Sequence, residues 1–288
     1  MKEFNIDEFP KEDALKLIRL ALSEDVRTGD VTSEWTIPEN QIQTAVLIAK
    51  ETGVLAGLPV IALVFEELKA NVKIELLKGD GEKVAKGDLI AKLTGPTRFL
   101  LTGERTLLNF IQQLSGVATV ASAYAEALLP GKTQILDTRK TLPGFRTLQK
   151  YAVRAGGGSN HRMGLFDMVL VKDNHIAACG GVLPAFETVK KHNKQGLRVE
   201  IEVENLEELK SLLNIGVDVI MLDNMTNGMM KDAVKIVRES GDKKVQLEAS
   251  GNMNLARVEE LKNFGLDYIS VGALTHSVKA LDISMRIR

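Results

Sequence analysis

The sequence predicts an α/β protein in which a mixed region, residues 1–115, precedes a barrel of parallel strands. Six apolar, β-rich runs recur beyond residue 130, and amphipathic helical stretches separate most of them. Alternation of buried strands with helices is typical of a parallel sheet built from βα units. A doubly wound sheet is the alternative, but no GxGxxG follows the first of these runs and no Walker sequence occurs. We therefore favour a barrel, complete or incomplete.

The mixed region combines helices with short strands. Its predicted elements are, in order, a helix over 14–22, a strand over 43–50, a helix over 58–68, short strands over 73–77, 82–84 and 89–93, and two helices over 100–114 and 117–129. Leu15, Ile18 and Leu22 share one face of the first helix. Pro59 begins the second, in a position where proline is tolerated. The last two helices are expected to meet near Gly116.

Each predicted barrel strand is followed by a polar residue or a glycine. The strands cover 133–136, 168–171, 199–203, 217–222, 245–247 and 268–271, and the residues at or just beyond their ends are Arg139, Lys172, Glu202, Asp223, Ser250 and Gly272. The carboxyl ends of strands in a parallel barrel converge on one rim, where active sites are found. These six residues are therefore candidate site residues.

The charge of the chain is balanced overall but uneven along its length. Thirty-seven Lys and Arg against 38 Asp and Glu give a net charge of −1, which argues against a nucleic-acid or membrane-surface binder. Residues 137–175 nevertheless hold seven Lys and Arg against three acids, a net charge of +4. This basic island predicts a pocket for a small polyanion. Arg146, Lys150 and Arg154 recur every four residues, which favours a solvated helix face for at least two of them.

The strand ends differ in chemistry. Glu202 and Asp223 are suited to hold a divalent ion or sugar hydroxyls. Ser250-Gly251 and Gly272 have small or missing side chains, so their backbone N–H groups can approach a phosphate. Two other interpretations stay open, namely Glu202 as an inward-facing residue neutralised by an arginine, and Asp223 as part of a helix N-cap.

The composition predicts a soluble, cytoplasmic protein. The first 13 residues contain seven charged residues, and the first 20 contain no apolar signal-peptide stretch. The longest apolar run, 54–65, is interrupted by Gly57 and Pro59 and is too short to span a bilayer. The single cysteine, Cys179, excludes an intrachain disulfide and an all-cysteine zinc site.

Longer motifs identify a family. Residues 137–175 contain DTRKTLPGFRTLQKYAVRAGGGSNHRMGLFDMVLVKDNH. Shorter motifs are GDVTS (29–33), GERTLLNF (103–110), EVEN (202–205), MLDN (221–224), EASGN (248–252) and VGALTHSVKALDIS (271–284). Together these segments, spread over nearly the whole chain, resemble the quinolinate phosphoribosyltransferase family.

The resemblance implies an amino-terminal α/β sandwich-like domain and an open (β/α) barrel of about six to seven parallel strands. We expect the first domain to cover 1–115, with 275–288 returning to it, and the barrel to cover 116–274. The implied reaction converts quinolinate and phosphoribosyl pyrophosphate, with Mg²⁺, to nicotinate mononucleotide, pyrophosphate and CO₂ in NAD synthesis. The implied assembly is a homodimer or a higher homo-oligomer.

The same resemblance assigns roles to individual residues. The quinolinate pocket maps onto Arg105, which would act across the subunit interface, and onto Arg139, His161 and Arg162. Contacts to phosphoribosyl pyrophosphate and the reacting centre map onto Lys140 and Lys172, with Thr138 beside them in the DTRK motif. Ribose hydroxyls and the metal map onto Glu202 and Asp223. The 5′-phosphate maps onto Ser250, Gly251, Gly272 and Ala273.

Substrate chemistry separates the rival interpretations. Quinolinate has two adjacent carboxylates, and arginine forks bind carboxylates bidentately. Nicotinate has only one carboxylate, so a cluster of arginines favours quinolinate over two relatives on the same scaffold, nicotinate phosphoribosyltransferase and a protein associated with molybdate transport. Residues 78–88 superficially resemble the hairpin of biotinyl and lipoyl carriers. They lack the residues that flank the modified lysine there, so we interpret them as a scaffold hairpin.

Overall fold

The computed structural model describes residues 9–242 and 244–288, which divide into two compact units. The amino-terminal unit combines the described residues up to 122 with 141–157 and 274–288. The second unit combines 123–140 with 158–273. Within the described ranges, no helix is both long enough and apolar enough to cross a membrane.

The amino-terminal unit is built on an antiparallel sheet. Its elements are α1 (Lys11–Asp25), α2 (Val31–Thr36), β1 (Ile42–Ala49), β2 (Gly53–Val54), α3 (Val60–Glu67), β3 (Lys73–Leu76), β4 (Lys83–Val84), β5 (Leu89–Pro96), most of α4 (Thr97–Ala127), α5 (Arg146–Ala155) and β12 (Ile283–Ile287). The sheet order is β12-β1-β5-β3, and β2 pairs with β4. Ala45 of β1 lies opposite Leu93 on one side and Ile287 on the other. The carboxyl-terminal strand is therefore part of this unit.

The predicted helices over 14–22 and 58–68 and the four predicted strands of this region are confirmed. The short helix α2 was not predicted, because its six residues show no helical repeat of apolar side chains. It begins at Asp30, whose carboxylate accepts a hydrogen bond from Ser33 N–H at 3.0 Å. This is an N-cap contact, which satisfies a backbone donor that the helix leaves free.

The prediction of two helices meeting at Gly116 is wrong, because α4 runs through this residue without a break. A Cβ on Gly116 would collide with the carbonyl oxygen of Lys279. The segment around Lys279 crosses α4 here, and Leu281 N–H donates to the carbonyl of Gln112 at 2.9 Å. The glycine thus allows close approach of two backbones, and the surrounding packing maintains the helix despite its low helical propensity.

The predicted boundary between residues 115 and 116 falls inside α4. Residues 141–157 also group with the amino-terminal unit, although we expected them in the barrel. Their anchor is Tyr151 on α5, whose hydroxyl donates to Asp80 Oδ2 at 2.7 Å and whose ring packs edge-on against Phe9. Burial raises the pKa of Asp80, while the hydrogen bonds it accepts from Tyr151 and from the N–H groups of Leu58 and Gly57 oppose this.

The second unit contains a six-stranded parallel sheet. Its elements are β6 (Gln134–Leu136), β7 (Val169–Val171), α6 (Asp173–Cys179), α7 (Val182–His192), β8 (Val199–Val203), α8 (Leu206–Ser211), β9 (Val219–Asp223), α9 (Asn227–Glu239), β10 (Gln246–Ser250), α10 (Leu255–Leu261) and β11 (Tyr268–Ser270). The short helix α11 (Ala273–His276) follows, and all of it but Ala273 belongs to the amino-terminal unit. The order is β6-β11-β10-β9-β8-β7, so β6 and β7 are the two edges. All six predicted strands are present, and the α/β fold class is confirmed.

Strand β8 shows how this sheet presents polar groups. Ile201 and Val203 are fully buried on one face. Glu200 and Glu202 alternate with them and are also buried, at 1% and 8% exposure. Successive side chains of a strand point to opposite faces, so the two acids share the other face. A carboxylate is costly to bury without partners. The face of the sheet that carries these two acids is therefore expected to be polar.

We predict that Gly116→Ala lowers the free energy of unfolding by about 1–3 kcal/mol, because the added methyl group overpacks the contact with the Lys279 carbonyl. Chemical denaturation followed by circular dichroism measures the change. Gly228→Ala is the matched control, because a Cβ added to this glycine of α9 would lie 3.9 Å from its nearest neighbour, Thr226 Oγ1. Equal stability of the two variants would contradict the close-approach explanation.

Candidate functional site

Asp137 joins two loops of the second unit. It directly follows β6 and is fully buried. Its carboxylate accepts hydrogen bonds from Asn160 Nδ2 at 2.6 Å and from His161 N–H at 3.0 Å. Ser159 N–H donates to the Ile135 carbonyl at 2.8 Å, so this segment runs parallel beside β6. The sequence analysis gave Asp137 no role, although the residue opens the DTRK motif and follows a strand, as the candidate residues do.

The imidazole ring of His161 is held at both nitrogens. Its Nδ1 accepts a hydrogen bond from the backbone N–H of Arg162 at 2.8 Å. Its Nε2 lies 2.9 Å from Glu200 Oε2 and 3.6 Å from Glu248 Oε2. Because Nδ1 accepts a hydrogen bond and is therefore unprotonated, the ring proton is on Nε2, which donates a hydrogen bond to Glu200. His161, expected in a substrate pocket, thus makes protein contacts on both sides of its ring.

Glu200 and Glu248 form a buried acid pair beside His161. Each is 1% exposed, and Ser270 Oγ donates a hydrogen bond to Glu248 Oε1. Burial is the main cause that raises the pKa of Glu200 to about 7; burial, and after it the charge of Glu200, raises the pKa of Glu248 to about 8. A lone carboxylate in such a place would be costly, so the pair depends on its hydrogen bonds. Glu248 is not among the predicted site residues, because in the sequence it appears only as the first letter of EASGN.

Two arginines lie close together in this unit. Arg162 is buried, with 9% exposure, and its Nη1 donates to the Met168 carbonyl at 3.3 Å. Burial lowers the pKa of Arg162, and the positive charge of Arg139 lowers it further. Two guanidinium groups that repel each other in a poorly solvated place are suited to hold an anion between them. Arg139 and Arg162 are therefore near enough for their charges to interact, and their joint role in a substrate pocket stays a prediction.

Lys172, Glu202 and Asp223 form a second cluster at neighbouring strand ends. Lys172 Nζ lies 3.6 Å from Glu202 Oε2, which accepts no hydrogen bond. Burial is the main cause that raises the pKa of Glu202, Lys172 opposes it, and Asp223 and Asp173 raise the pKa further. Adjacent carboxylates, one of which has a buried oxygen that accepts no hydrogen bond, are suited to a hard divalent cation. The partner of Glu202 is thus a lysine, whereas an arginine was the alternative expectation.

The loops after β9 and β10 are tied to each other. Asn224 N–H donates to the Ser250 carbonyl at 3.1 Å, and Asn224 Nδ2 donates to Asp223 Oδ2 at 2.6 Å. Gly251 has a φ of +98°, and a Cβ there would collide with Asn224 Oδ1. The N-cap of α9 is Thr226, so the interpretation of Asp223 as a helix N-cap is wrong. The close contact with Asn224 therefore requires a glycine at position 251, whether or not a phosphate binds at this turn.

The other predicted site residues of this unit lie at the strand ends as expected. Thr138 and Arg139 are half-buried, Lys140 is exposed, and Thr138 Oγ1 accepts a hydrogen bond from Lys140 N–H at 3.1 Å. Gly272 and Ala273 follow β11 after one residue, Val271, and are half-buried. These positions bring the DTRK turn and the turn after β11 to the carboxyl ends of adjacent strands, β6 and β11.

Four predicted or candidate cations belong to the amino-terminal unit. Arg105 is an exposed residue of α4. Arg146, Lys150 and Arg154 lie on α5, and none of these three is exposed. The expected solvated face for them is wrong, because α5 packs into its unit and Lys150 is 1% exposed. The basic island of the sequence is therefore divided between the two units.

A cavity of ≈ 150 Å³ lies inside the second unit. His161, Arg162, Glu200 and Glu248 contribute to its wall. Its remaining wall includes residues at or just before the amino ends of strands, namely Gln134, Met168, Arg198, Val219 and Tyr268. The buried acid pair thus faces space that is large enough for several water molecules.

Comparison with known proteins identifies the family of both halves of the chain. Residues 30–115 match the family described as quinolinate phosphoribosyl transferase, N-terminal domain, and residues 117–286 match its C-terminal domain. A chloroplastic carboxylating nicotinate-nucleotide pyrophosphorylase of Arabidopsis thaliana is 44% identical, over 96% of this chain and 84% of the relative. A probable enzyme of the same name from Bacillus subtilis is 43% identical, over 94% of this chain and 92% of the relative.

Solved structures agree with these relatives. The nicotinate-nucleotide pyrophosphorylase of Francisella tularensis superposes with a TM-score of 0.91 at 43% identity, covering 97% of both chains. Human nicotinic acid phosphoribosyltransferase gives a TM-score of 0.59 at 12% identity, covering 89% of this chain and 72% of that chain. The second similarity is one of fold alone.

We predict that Asp137→Asn lowers the free energy of unfolding by about 2–3 kcal/mol. The amide NH₂ would replace one carboxylate oxygen and would face either Asn160 Nδ2 or His161 N–H, so that this buried donor would lose its hydrogen bond. Thermal unfolding measures the loss. Asp232→Asn, an exposed acid on α9, is the control and is expected to leave stability nearly unchanged. Similar behaviour of the two variants would show that Asp137 does not hold the 158–162 segment.

Proposed function

The chain belongs to the quinolinate phosphoribosyltransferase family, and we propose that it carries out the family's reaction with the residues described above. It converts quinolinate and phosphoribosyl pyrophosphate to nicotinate mononucleotide, pyrophosphate and CO₂, a step of NAD synthesis. The observation that carries the assignment of the pocket is the proximity of Arg139 and the buried Arg162 in one unit. Two guanidinium groups match a ligand with two adjacent carboxylates.

We assign quinolinate to Arg139 and Arg162, with His161 beneath them. Bidentate contacts would orient the pyridine ring so that its nitrogen faces the anomeric carbon of the ribose. Holding two reactants in this way supplies much of the rate acceleration of a bimolecular reaction. The burial of Arg162 strengthens the contact, because charge pairs are screened less away from water.

We assign phosphoribosyl pyrophosphate to the strand ends. Lys140 and Lys172 would neutralise the pyrophosphate, and Thr138 would lie beside it. Glu202 and Asp223 would hold the ribose hydroxyls. The turns at Ser250-Gly251 and Gly272-Ala273 would receive the 5′-phosphate through backbone N–H groups, as anions are bound elsewhere.

We propose Mg²⁺ as the metal of this site. The support is the donor set, since Glu202 and Asp223 adjoin and a buried oxygen of Glu202 accepts no hydrogen bond. Carboxylate and phosphate oxygens are the ligands that Mg²⁺ prefers. When bound, the ion would stabilise the negative charge of the departing pyrophosphate.

The chemistry requires charge stabilisation more than acid–base catalysis. As pyrophosphate leaves, the ribose becomes oxocarbenium-like, and the pyridine nitrogen attacks its anomeric carbon. The product is a pyridinium cation, so loss of the adjacent carboxylate as CO₂ leaves an electron pair next to a positive nitrogen. Solvent protons complete the product. Lysines and arginines fixed around the reactants stabilise the changing charges before they develop.

We further propose that the enzyme is cytoplasmic and works as a homodimer or a higher homo-oligomer, in which Arg105 of the partner subunit reaches a quinolinate carboxylate. The exposure of Arg105 on α4 supports its availability to a second chain. Cell fractionation with a marker enzyme tests the location, and sedimentation tests the assembly.

The direct test of function is an assay with Mg²⁺, phosphoribosyl pyrophosphate and either quinolinate or nicotinate. We expect CO₂ and nicotinate mononucleotide from quinolinate, and little product from nicotinate, because one carboxylate leaves an arginine unpaired. Removal of Mg²⁺ by a chelator is expected to abolish turnover. Faster turnover of nicotinate would instead favour a nicotinate phosphoribosyltransferase, and no turnover of either would favour the transport-associated relative.

We predict that Arg139→Ala and Arg162→Ala each weaken quinolinate binding by roughly 30-fold or more, since truncating one partner of a buried charge pair costs about 2–5 kcal/mol. Calorimetric titration measures the affinity directly. Arg238→Ala, which removes an exposed arginine paired with Asp267, is the control. Unchanged affinity in the two pocket variants would refute the assignment.

Subunit mixing tests the position of Arg105. Arg105→Ala and Lys172→Ala chains are each expected to be inactive, and random exchange should restore about a quarter of wild-type activity, because half the dimers then contain one intact site. Subunit exchange is verified with chains that carry different tags. Absence of recovery despite exchange would show that both residues act within one chain.

A further inference from the structure

A hydrogen-bonded chain of four side chains crosses the interior of the second unit. Ser270 on β11 donates to Glu248 on β10, and Glu248 adjoins Glu200 on β8. His161 Nε2 lies 2.9 Å from Glu200, and His161 Nδ1 accepts from the backbone N–H of Arg162. The chain therefore links strands β8, β10 and β11 to the main chain of an arginine assigned to the substrate.

The acid pair and His161 could suggest a metal site, because their ligand atoms lie within 4.8 Å of one another. The tautomer of His161 argues against it. A neutral imidazole that ligates a metal through Nε2 carries its proton on Nδ1. Here Nδ1 faces the N–H of Arg162 at 2.8 Å, and two donors would then oppose each other. The geometry instead requires Nε2–H and a hydrogen bond to Glu200.

We propose that Glu200, Glu248 and Ser270 are positioning residues, which set the affinity for quinolinate by holding His161 and, through it, Arg162. The inference rests on the proposed function only in taking quinolinate as the ligand of Arg162. None of the three residues belongs to the predicted site, and none needs to touch a substrate. Their effect is transmitted by the ring of His161, which is fixed on one side by the acid pair and on the other by the Arg162 main chain.

The physical basis is the cost of the alternative arrangements. Each acid is 1% exposed, so neither can turn to solvent without opening the interior. The contacts of Ser270 with Glu248 and of His161 with Glu200 favour one arrangement of these side chains, whereas losing either contact leaves more buried polar atoms without partners. Replacing Glu248 by an apolar residue removes the hydrogen-bond acceptor of Ser270 and the polar neighbour of Glu200. Glu200 is then held less firmly, and His161, which contacts it, can move with it.

The test compares Glu248→Leu with Glu248→Gln. Leucine removes the hydrogen bonds at similar volume, whereas glutamine keeps an acceptor for Ser270 and offers a donor to Glu200. We expect Glu248→Leu to raise the KM for quinolinate about tenfold or more and to change the KM for phosphoribosyl pyrophosphate less, since small displacements of a binding group cost up to about 10²-fold. Glu248→Gln is expected to restore most of the loss.

Controls exclude a general loss of structure. Glu259→Leu changes an exposed acid on α10 in the same βα unit and is expected to leave both KM values unchanged. If Glu248→Leu does not fold, Ser270→Ala decides, with an expected rise of about threefold in the KM for quinolinate, the equivalent of one hydrogen bond. Equal rises of both KM values, an equal defect in Glu248→Gln, or an unchanged KM in Ser270→Ala would overturn the inference.

A second readout needs no substrate, so it separates failure of this inference from failure of the proposed function. The chain has four histidines, and ¹⁵N-histidine labelling reports the tautomer of each ring. The signal of His161 is identified by its loss in His161→Asn. We expect an unprotonated Nδ1 and a protonated Nε2 in the wild type, and a changed Nε2 signal in Glu248→Leu. A protonated Nδ1 in the wild type would overturn the inference.

Discussion

The parallel register of the six-stranded sheet is the constraint on which the candidate site depends. Because β6 to β11 all run in one direction, every strand delivers its following residues to the same end of the sheet. Residues as distant in sequence as Arg139 and Gly272 thereby become neighbours. The pairing of Leu136 with Ser270 and of Ser250 with Asp223 sets the level at which each turn begins.

Asp137 helps to hold the segment that covers one of the two open edges of this sheet. An unpaired edge exposes backbone donors and acceptors, and the 158–160 segment covers one of them beside β6. The buried carboxylate of Asp137 then holds Asn160 and His161 in place. One acid therefore connects the covering of an edge with the placement of His161, so that stability and the proposed substrate binding depend on the same contacts.

The charges of the site balance one another in layers. Glu200 of the acid pair interacts with Arg162 and opposes part of the repulsion between Arg162 and Arg139. Lys172 does the same for Glu202. Such an arrangement holds highly charged reactants by position and electrostatics, and it provides fixed charges that need little rearrangement during the reaction. The net charge of the whole chain does not reveal these local charges, because positive and negative groups that lie only a few ångströms apart cancel in the sum.

The sequence alone was sufficient for the fold class, the six parallel strands and the family, because buried strands have a periodic apolar pattern and the motifs are long. It also assigned Arg139 and Arg162 to one anion pocket, because both belong to the basic island at 137–175 and to motifs of the family. It failed where tertiary contacts overrode local preference. Gly116 continues α4 because a crossing backbone surrounds it, and α5 buries the cations that were expected in solvent. Glu248 and the tautomer of His161 could be found only in the structure, because a hydrogen-bond network across three strands has no spacing in sequence.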